Sequence, residues 1–313
     1  MRKTAAYIAL VSLMLLVLFA PVSSENDLSM DVLRFQAILG LDGQLLAMQS
    51  GTADVCHNLI RTSDVETLDA DGFLVTQDPG FHMGFVAYNI RADQSYRRSD
   101  PEALAYWPLK DVAFRHALVH CYDQEAIIGE LYGYLVTPIQ SLVPPAQARF
   151  VNPTAPTHPY NPGDPFASPA GEHSTCGILK EKGYTFVDLG TIGVVDEADY
   201  WKTPVGTALP YMKIWTPLLE VAPTSYRHVE EFAKDLAAVG LRATPANGYH
   251  GMINEGEDWN WYLAQVYDHA NFDGYMVFYS LGRIPDQLYS LLHSSQGWPW
   301  WGRNTAGVFD QDL

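Results

Sequence analysis

Apolar and polar positions alternate along the chain with two different periods. Alternation with a period of two, typical of half-buried strands, occurs in separate short stretches: 32–38, 81–90, 184–189 and 272–281. A period near 3.6, typical of amphipathic helices, occurs in others: 42–50, 110–133 (two helices divided at Asp123), 168–182, 224–239 and 258–269. Because helices and strands alternate, the sequence predicts an α/β fold.

Single residues mark where several of these helices begin and end. The carboxylate of Asp123 is expected to cap a helix N-terminus. Ser168 followed by Pro169 is expected to begin the helix that ends at Lys182. Gly183 and Gly240 directly follow apolar stripes, where a left-handed residue commonly ends a helix.

The stretch from Pro138 to Pro169 interrupts this regular pattern because it is rich in proline. Proline lacks a backbone donor and fixes φ, so neither a helix interior nor a central strand is expected there. Aromatic residues punctuate the stretch. It is therefore predicted to be an ordered crossover between two lobes, not a flexible tether.

The first 24 residues have the layout of a secretory signal peptide. Arg2 and Lys3 precede an apolar run from Ala5 to Ala20, and small residues follow up to Ser24. The run is shorter than the ~20 residues that span a bilayer. The sequence therefore predicts secretion across the cytoplasmic membrane, to the periplasm or the cell surface. An uncleaved segment that tethers the protein to the membrane is the alternative.

The net charge of −17 excludes one class of partner and leaves the ligand open. Lysine and arginine are not clustered outside the N-terminus, so no nucleic-acid partner is expected. The three cysteines, Cys56, Cys121 and Cys176, match no zinc module by spacing. One disulfide and one free thiol is one interpretation, and three small buried side chains is the favoured one.

Motifs for catalysis are weak in this sequence. His116 and His120 lie four residues apart and share a helix face, as two metal ligands would. Ala117 stands where the zinc-protease motif requires glutamate. The favoured interpretation is two surface or half-buried histidines, so no catalytic residue, metal site or cofactor is predicted.

Several segments, in order along the chain, resemble family 5 of the extracytoplasmic solute-binding proteins, which includes peptide, oligopeptide and nickel-chelate binders. The passage Ser50-Gly51-Thr52-Ala53-Asp54-Val55 is similar to its "S-G-E-I-D-V", and Asp111 to Leu118 is similar to "D-x-x-V-R-x-A-L". Further segments resemble the family between residues 132 and 144, between 159 and 184, and between 281 and 295.

The resemblance implies a two-lobed α/β protein of the periplasmic-binding-protein (type II) kind, with a ligand cleft between the lobes. On that pattern residues 25–140 are part of the first lobe and residues 141–313 part of the second. Family members are longer, so the chain is expected to be incomplete at both ends. It is expected to be a monomer whose partners are a peptide or small-molecule solute and the permease subunits of an ABC importer.

The predicted ligand-binding residues are Tyr279, Arg283, Trp298 and Trp300. Peptide binders of the family often place an aspartate where Gly282 stands, to pair with the peptide amino terminus. Here Gly282 stands in its place, and Arg283, which follows it, is able to attract a carboxylate or another anion instead. A structural ion pair is the favoured role for Arg283 over ligand contact, and lobe packing is the alternative for the tryptophans.

The leading functional hypothesis is a non-catalytic receptor that captures peptides or similar solutes for import. Two alternatives come from other classes. One is a secreted metal-dependent hydrolase that uses His116 and His120. The other is a shortened gene product without a function of its own.

Overall fold

A computed structural model of the 313-residue chain describes most of its central part. The described residues are 32–36, 38, 41–56, 61–77, 79–90, 108–167, 173–217, 219, 222–241, 259–268 and 272–296. The chain forms two compact units, Met1–Cys56 and His57–Leu313. The predicted signal peptide over residues 1–24 lies outside the described residues.

The smaller unit contains helix α1, Leu41–Gln49, among its described residues. The helix ends as predicted, because Gly51 follows it with φ of +67°. The prediction of a strand over 32–38 is wrong: residues 32–36 and 38 have no strand pairing, and Phe35 is 71% exposed. Alternation alone does not make a strand, since a strand requires a hydrogen-bonded neighbour.

Helices and strands of the larger unit follow the predicted alternation. Its helices are α2 Thr62–Ala70, α3 Val112–His120, α4 Gln124–Tyr132, α5 Thr175–Glu181, α6 Pro223–Ala238, α7 Trp259–Leu263 and α8 Gln287–Leu292. Its strands are β1 His82–Tyr88, β2 Thr185–Val187, β3 Tyr200–Lys202, β4 Ile214–Trp215 and β5 Gly274–Ser280. Short 3₁₀-helices occur at Pro108–Lys110, Gly133–Leu135, Pro145–Phe150 (with a kink at Gln147) and Ser294–Gln296, and a π-helix at Ala264–Asp268 continues α7.

A mixed sheet with the strand order β1-β5-β4 organises this unit. Strand β5 pairs antiparallel with β1, with Val277 opposite Phe85, and parallel with β4. Strands β2 and β3 form a separate antiparallel pair. Residues directly opposite across an antiparallel pair share a face, so Tyr279, Val277 and Phe85 lie on the same side of the sheet.

The two faces of the sheet contact different hydrophobic clusters. Met276 belongs to the main core, in which helices α3, α5 and α6 contribute fully buried side chains such as Leu118, Leu179 and Leu236. Tyr275 and Val277 belong to a second, aromatic cluster with α7. Burying one such leucine contributes about 1.5–3 kcal/mol, so the main core dominates stability.

Capping residues position the helices of the main core. The side chains of Asp111 and Asp123 accept from Ala113 N at 2.9 Å and from Ala126 N at 3.0 Å, so Asp123 caps α4 as predicted. Gly183 and Gly240 have φ of +85° and +71°, which confirms the predicted helix ends.

Helix α5 begins later than the sequence predicts. Ser168 and Pro169 lie outside the described residues. Ser174 is the N-cap, with its Oγ 2.9 Å from Gly177 N. The backbone amide of Thr175 donates to Asn161 O at 2.9 Å, so the chain before α5 is fixed by the proline-rich segment.

The described part of the proline-rich segment, residues 138–167, contains no α-helix or strand, as predicted. Residues on both sides of it share the main core, Leu118 and Ile127 before it and Leu179 and Phe232 after it. The hydrophobic core therefore does not divide at residue 140. The assignment of residues 25–140 and 141–313 to two lobes stays a prediction.

The cysteines of the larger unit follow the favoured interpretation. Cys121 and Cys176 are fully buried and form no disulfide. Burial raises the pKa of both thiols, that of Cys176 to about 12. In the smaller unit, the thiol of Cys56 donates to Gln44 Oε1 at 3.5 Å.

Candidate functional site

The predicted ligand residues that the structure describes lie at the C-terminal end of β5. Tyr279 is in the strand and half buried, and Arg283 lies in the loop 281–286 between β5 and α8. Backbone hydrogen bonding continues past the strand, because Leu281 N donates to Phe81 O at 2.6 Å. Trp298 and Trp300 lie outside the described residues, so their role in ligand binding stays a prediction.

Tyr279 is part of the aromatic cluster on one face of the sheet. Its ring meets that of Phe85 edge to face, with centroids 5.4 Å apart, and its hydroxyl hydrogen-bonds to that of Tyr267. Burial, followed by the neighbouring Tyr275 and Tyr267, raises the pKa of Tyr279 well above its ordinary value. The side chain is therefore a neutral phenol with an apolar ring, suited to packing against an uncharged ligand group.

Arg283 is exposed and forms no ion pair with any other residue that the structure describes. The structural ion pair that was favoured for Arg283 is thus not observed within this part of the chain. A guanidinium has five donors in a planar fork that matches a carboxylate. Arg283 is accordingly available to an anionic group of a ligand.

Two buried glutamines hold the loop that carries Arg283. Gln147 and Gln287 are each 2% exposed, and their amides bond to each other at 2.8 and 3.2 Å. Gln147 Nε2 also lies 2.9 Å from Gly282 O and 3.1 Å from Ile284 O, and Gln287 Nε2 donates to Leu142 O at 2.8 Å. We call this pair the glutamine clamp. It fixes the backbone on both sides of Arg283.

Gly282 has room for a side chain. An added Cβ would have Asp286 Oδ1 as its nearest atom, at 3.6 Å, which is ordinary van der Waals contact. The backbone therefore does not require glycine at this position. The absence of an acid at residue 282 is a chemical difference from the family pattern and is not imposed by the fold.

Two tryptophans that the structure describes pack within the aromatic cluster. Trp261 of α7 packs on Trp215 of β4 with ring centroids 5.0 Å apart. Trp215 is 4% exposed, and its Nε1 has no hydrogen-bond acceptor among the described residues. Trp298 and Trp300 lie outside the described residues, so lobe packing stays a prediction for them.

A third histidine joins the pair that the sequence analysis considered. The ligand nitrogens of His116, His120 and His158 all lie within 4.8 Å of one another. Burial, followed by the neighbouring imidazoles, lowers the pKa of His116, and burial and His120 lower that of His158. We call these three residues the histidine cluster. A recess of about 260 Å³ adjoins it, lined by Val119, Tyr122, Gln124, Ile139, Gln140 and His158.

Comparison with known families identifies the class of protein. A family model described as bacterial extracellular solute-binding proteins, family 5 (middle region), matches residues 25–287. The chain belongs to this family, as the resemblance implied. The members of this family bind solutes for transport and do not catalyse reactions, which confirms the prediction that the protein is not an enzyme.

Solved structures of this kind share the fold at low sequence identity. The chain is similar to the periplasmic oligopeptide-binding protein of an oligopeptide ABC transporter from Thermotoga maritima, with 16% identity and a TM-score of 0.60. It is also similar to the oligopeptide-binding protein AppA from Bacillus subtilis, solved with a nonapeptide (15%, TM-score 0.54), and to NikZ from Campylobacter jejuni, solved with Ni(L-His) (16%, TM-score 0.53). The predicted fold class, a partial periplasmic-binding-protein fold, is confirmed.

These matches cover most of this chain and less than half of each relative. They span 88%, 86% and 85% of this chain, but 46%, 44% and 44% of the three solved chains. No curated protein matches the sequence. Among the described residues, no helix has the length and the apolar character that crossing a membrane requires.

Proposed function

We propose that this protein is the solute-binding component of an ABC importer. It captures peptides or similarly sized solutes outside the cytoplasmic membrane and delivers them to a permease. The observation that carries the proposal is the family match over residues 25–287. The oligopeptide-binding relatives from Thermotoga maritima and Bacillus subtilis support peptides as the solute class.

The proposed location is the periplasm or the cell surface. Support comes from the signal-peptide layout of residues 1–24 and from the family, whose members are extracellular. The proposed partners are a peptide or small solute and the permease subunits in the membrane. The protein acts as a monomer in this proposal.

The ligand group that we propose is recognised at loop 281–286 is a carboxylate. Arg283 is exposed there, the glutamine clamp fixes the backbone on either side of it, and Gly282 supplies no negative charge for an amino terminus. A hydrogen bond to a charged group contributes about 1.5–3 kcal/mol, or roughly a 10- to 100-fold change in affinity. Tyr279 lies next to this loop and offers an apolar ring to the remainder of the ligand.

Paired peptides test this proposal directly. A short-peptide pool is first screened by the rise in melting temperature of the purified chain, since a ligand of the folded state raises it. A peptide that binds is then compared with its N-acetylated and C-amidated forms by calorimetry. Amidation should weaken binding about 10-fold or more, and acetylation should have little effect.

Two substitutions assign the effect to the loop. Arg283→Gln should remove the difference between the free and the amidated peptide. Arg149→Gln is the matched control, because Arg149 is also exposed and lies outside loop 281–286. Gly282→Asp should shift the preference towards peptides with a free amino terminus. A cooperatively unfolding chain that no peptide stabilises would contradict the proposed function, whereas peptide binding that is indifferent to Arg283 would contradict only the carboxylate assignment.

A further inference from the structure

The three imidazoles of the histidine cluster come from two separate parts of the chain. His116 and His120 lie one turn apart on α3, so both side chains leave the same face of the helix. His158 comes from the proline-rich segment, 42 residues after His116. The ring centroid of His158 lies 4.9 Å from that of His116 and 5.6 Å from that of His120.

The nitrogen positions match those of ligands on a small tetrahedral ion. His116 Nε2 lies 3.1 Å from His158 Nδ1. Two nitrogens bound to Zn²⁺ at 2.0–2.1 Å with tetrahedral angles are separated by about 3.3 Å. Within this hydrogen-bonded pair one nitrogen donates a proton to the other. Moving that proton to the far nitrogen of its own ring gives both nitrogens a lone pair that faces the ion.

His120 has one ring nitrogen bonded to the backbone. It is 4% exposed, and its Nδ1 lies 2.9 Å from the carbonyl oxygen of Pro159, which can only accept. His120 Nδ1 therefore carries the proton, and Nε2 has the lone pair. A histidine that ligates a metal usually donates its other ring N–H to a carbonyl or carboxylate in this way. A backbone hydrogen bond keeps Pro159 beside His120, because Asn161 N donates to His120 O at 2.8 Å.

We propose that His116, His120 and His158 form a binding site for a divalent transition-metal ion, with Zn²⁺ as the ion that best fits three imidazoles. Imidazole nitrogens suit zinc, copper and nickel, whereas calcium and magnesium require oxygen ligands. Zn²⁺ imposes no geometric preference of its own and accepts three histidines with a fourth position open to solvent. His116 and His158 are partly exposed, so water can reach that position.

An ion at this site would join two parts of the chain. An ion shared by α3 and His158 ties the proline-rich segment to the main core, to which α3 contributes the buried Phe114 and Leu118. No carboxylate belongs to the described cluster, and Ala117 occupies the position of the catalytic glutamate in zinc proteases. The cluster shares no residue with the proposed solute site at Tyr279 and Arg283, so zinc binding can be tested apart from peptide binding.

Zinc titration of the metal-free, tag-free 313-residue chain tests the proposal. Calorimetry should show one Zn²⁺ per chain, and binding should raise the melting temperature by about 5 °C or more at saturation. His158→Ala should weaken Zn²⁺ binding at least about 10-fold, and His116→Ala should do the same. Co²⁺ should give the visible absorption of a tetrahedral site in the wild type and lose it in both variants.

Two further measurements separate a built site from adventitious binding. His82→Ala is the matched control, because His82 is an exposed histidine at the start of β1 and should leave the titration unchanged. Zn²⁺ should also slow hydrogen exchange in peptides that cover residues 151–161. The proposal is overturned if the folded chain binds no Zn²⁺, or if the His158→Ala variant, with an unchanged melting temperature, binds it as the wild type does. Weak Zn²⁺ binding that His82→Ala reduces as much as His158→Ala does would show adventitious zinc only.

Discussion

Two groups of polar side chains fasten the proline-rich segment, and they do so with different chemistry. The glutamine clamp holds the segment at Leu142 and Gln147, and the histidine cluster holds it at His158 and Pro159. Amide side chains carry no charge at any physiological pH, and in the clamp they donate to carbonyl oxygens and to each other. Neutral imidazoles keep a lone pair that can bind an ion. The first fastening is therefore fixed, and only the second can respond to its surroundings.

A buried histidine in the core, His228, is a further polar group that can gain a proton. His228 of α6 is 5% exposed, hydrogen-bonds to the hydroxyl of Tyr122 and lies near the ring of Tyr132, with centroids 6.1 Å apart. Its Nδ1 has no partner among the described residues. Burial lowers the pKa of His228 from 6.5 to about 4. The neutral ring is therefore the form that the folded protein accepts.

The largest expected effect is a loss of stability in acid. Because the folded pKa of His228 lies below the unfolded value of 6.5, the unfolded chain binds more protons between pH 6.5 and about 4. The free energy of unfolding should fall by about 3 kcal/mol across this range and show no contribution from His228 above pH 6.5. Denaturant midpoints measured at closely spaced pH values check this.

The variant His228→Phe should flatten that pH profile, since phenylalanine fills a similar space and cannot gain a proton. The exposed His82 is the control, and His82→Ala should leave the profile steep. Equal slopes in the wild type and His228→Phe would show that the acid sensitivity resides elsewhere.

The second effect is the loss of the glutamine clamp. Gln147→Leu removes the donor to Gly282 O and Ile284 O and takes from the buried Gln287 Oε1 the donor that Gln147 supplies. A buried polar group left unsatisfied costs about 1–3 kcal/mol, so we expect unfolding to become easier by about 2–3 kcal/mol at every pH tested. Chemical denaturation at pH 5 and pH 8 measures the size of this loss in unfolding free energy and shows whether it is the same at both pH values.

A double variant sharpens this test. Gln147→Leu with Gln287→Leu replaces both members of the pair, so the combined loss should be smaller than the sum of the two single losses. Gln77→Ala is the control for a solvated glutamine, whose amide donates to Tyr134 O at 3.2 Å and is exposed. Additive single losses would mean that the two amides do not act as a pair.

Local patterns predicted most of the larger unit, because its helices and strands are set by short-range periodicity and capping. Strand β1, strand β5 and helix α6 have the expected apolar faces, and Asp123 caps α4. The predicted strand at 32–38 failed because residues 32–36 and 38 pair with no strand among the residues that the structure describes. The late start of α5 depends on Asn161 and Pro162, whose carbonyls accept from its first residues. That contact is distant in sequence, and no local pattern signals it.

The candidate sites were predictable only in part, for the same reason. The chemistry of Gly282 and Arg283 was visible in the aligned family pattern, and the shared helix face of His116 and His120 followed from their spacing. His158 joins them across 38 residues from His120, and Gln147 meets Gln287 across 140 residues. Pairings over such distances depend on how the proline-rich segment folds back, which periodicity does not describe.

A smaller effect is expected at the start of α4, beside the histidine region. The carboxylate of Asp123 accepts from Ala126 N at 3.0 Å, and a lost cap of this kind costs about 1 kcal/mol. Asp123→Ala should therefore lower stability by about 1 kcal/mol. Asp123→Asn should retain most of the stability that the cap contributes, because asparagine caps equally well. Equal losses in both variants would assign the effect to charge instead of capping, and chemical denaturation distinguishes the two.

The smallest effect is expected at an exposed ion pair on α6, the helix that carries His228. The spacing of Glu230 and Lys234 favours an i,i+4 pair, whereas the structure pairs Lys234 Nζ with Glu231 at 2.6 Å. Lys234 is largely solvated, so the pair should contribute less than about 0.5 kcal/mol and fade with added salt. Glu231→Gln, measured by denaturation at low and high salt, checks this. A loss of unfolding free energy as large as that expected for His228 would contradict the view that burial, and not charge alone, decides how much a polar group contributes to the stability of this protein.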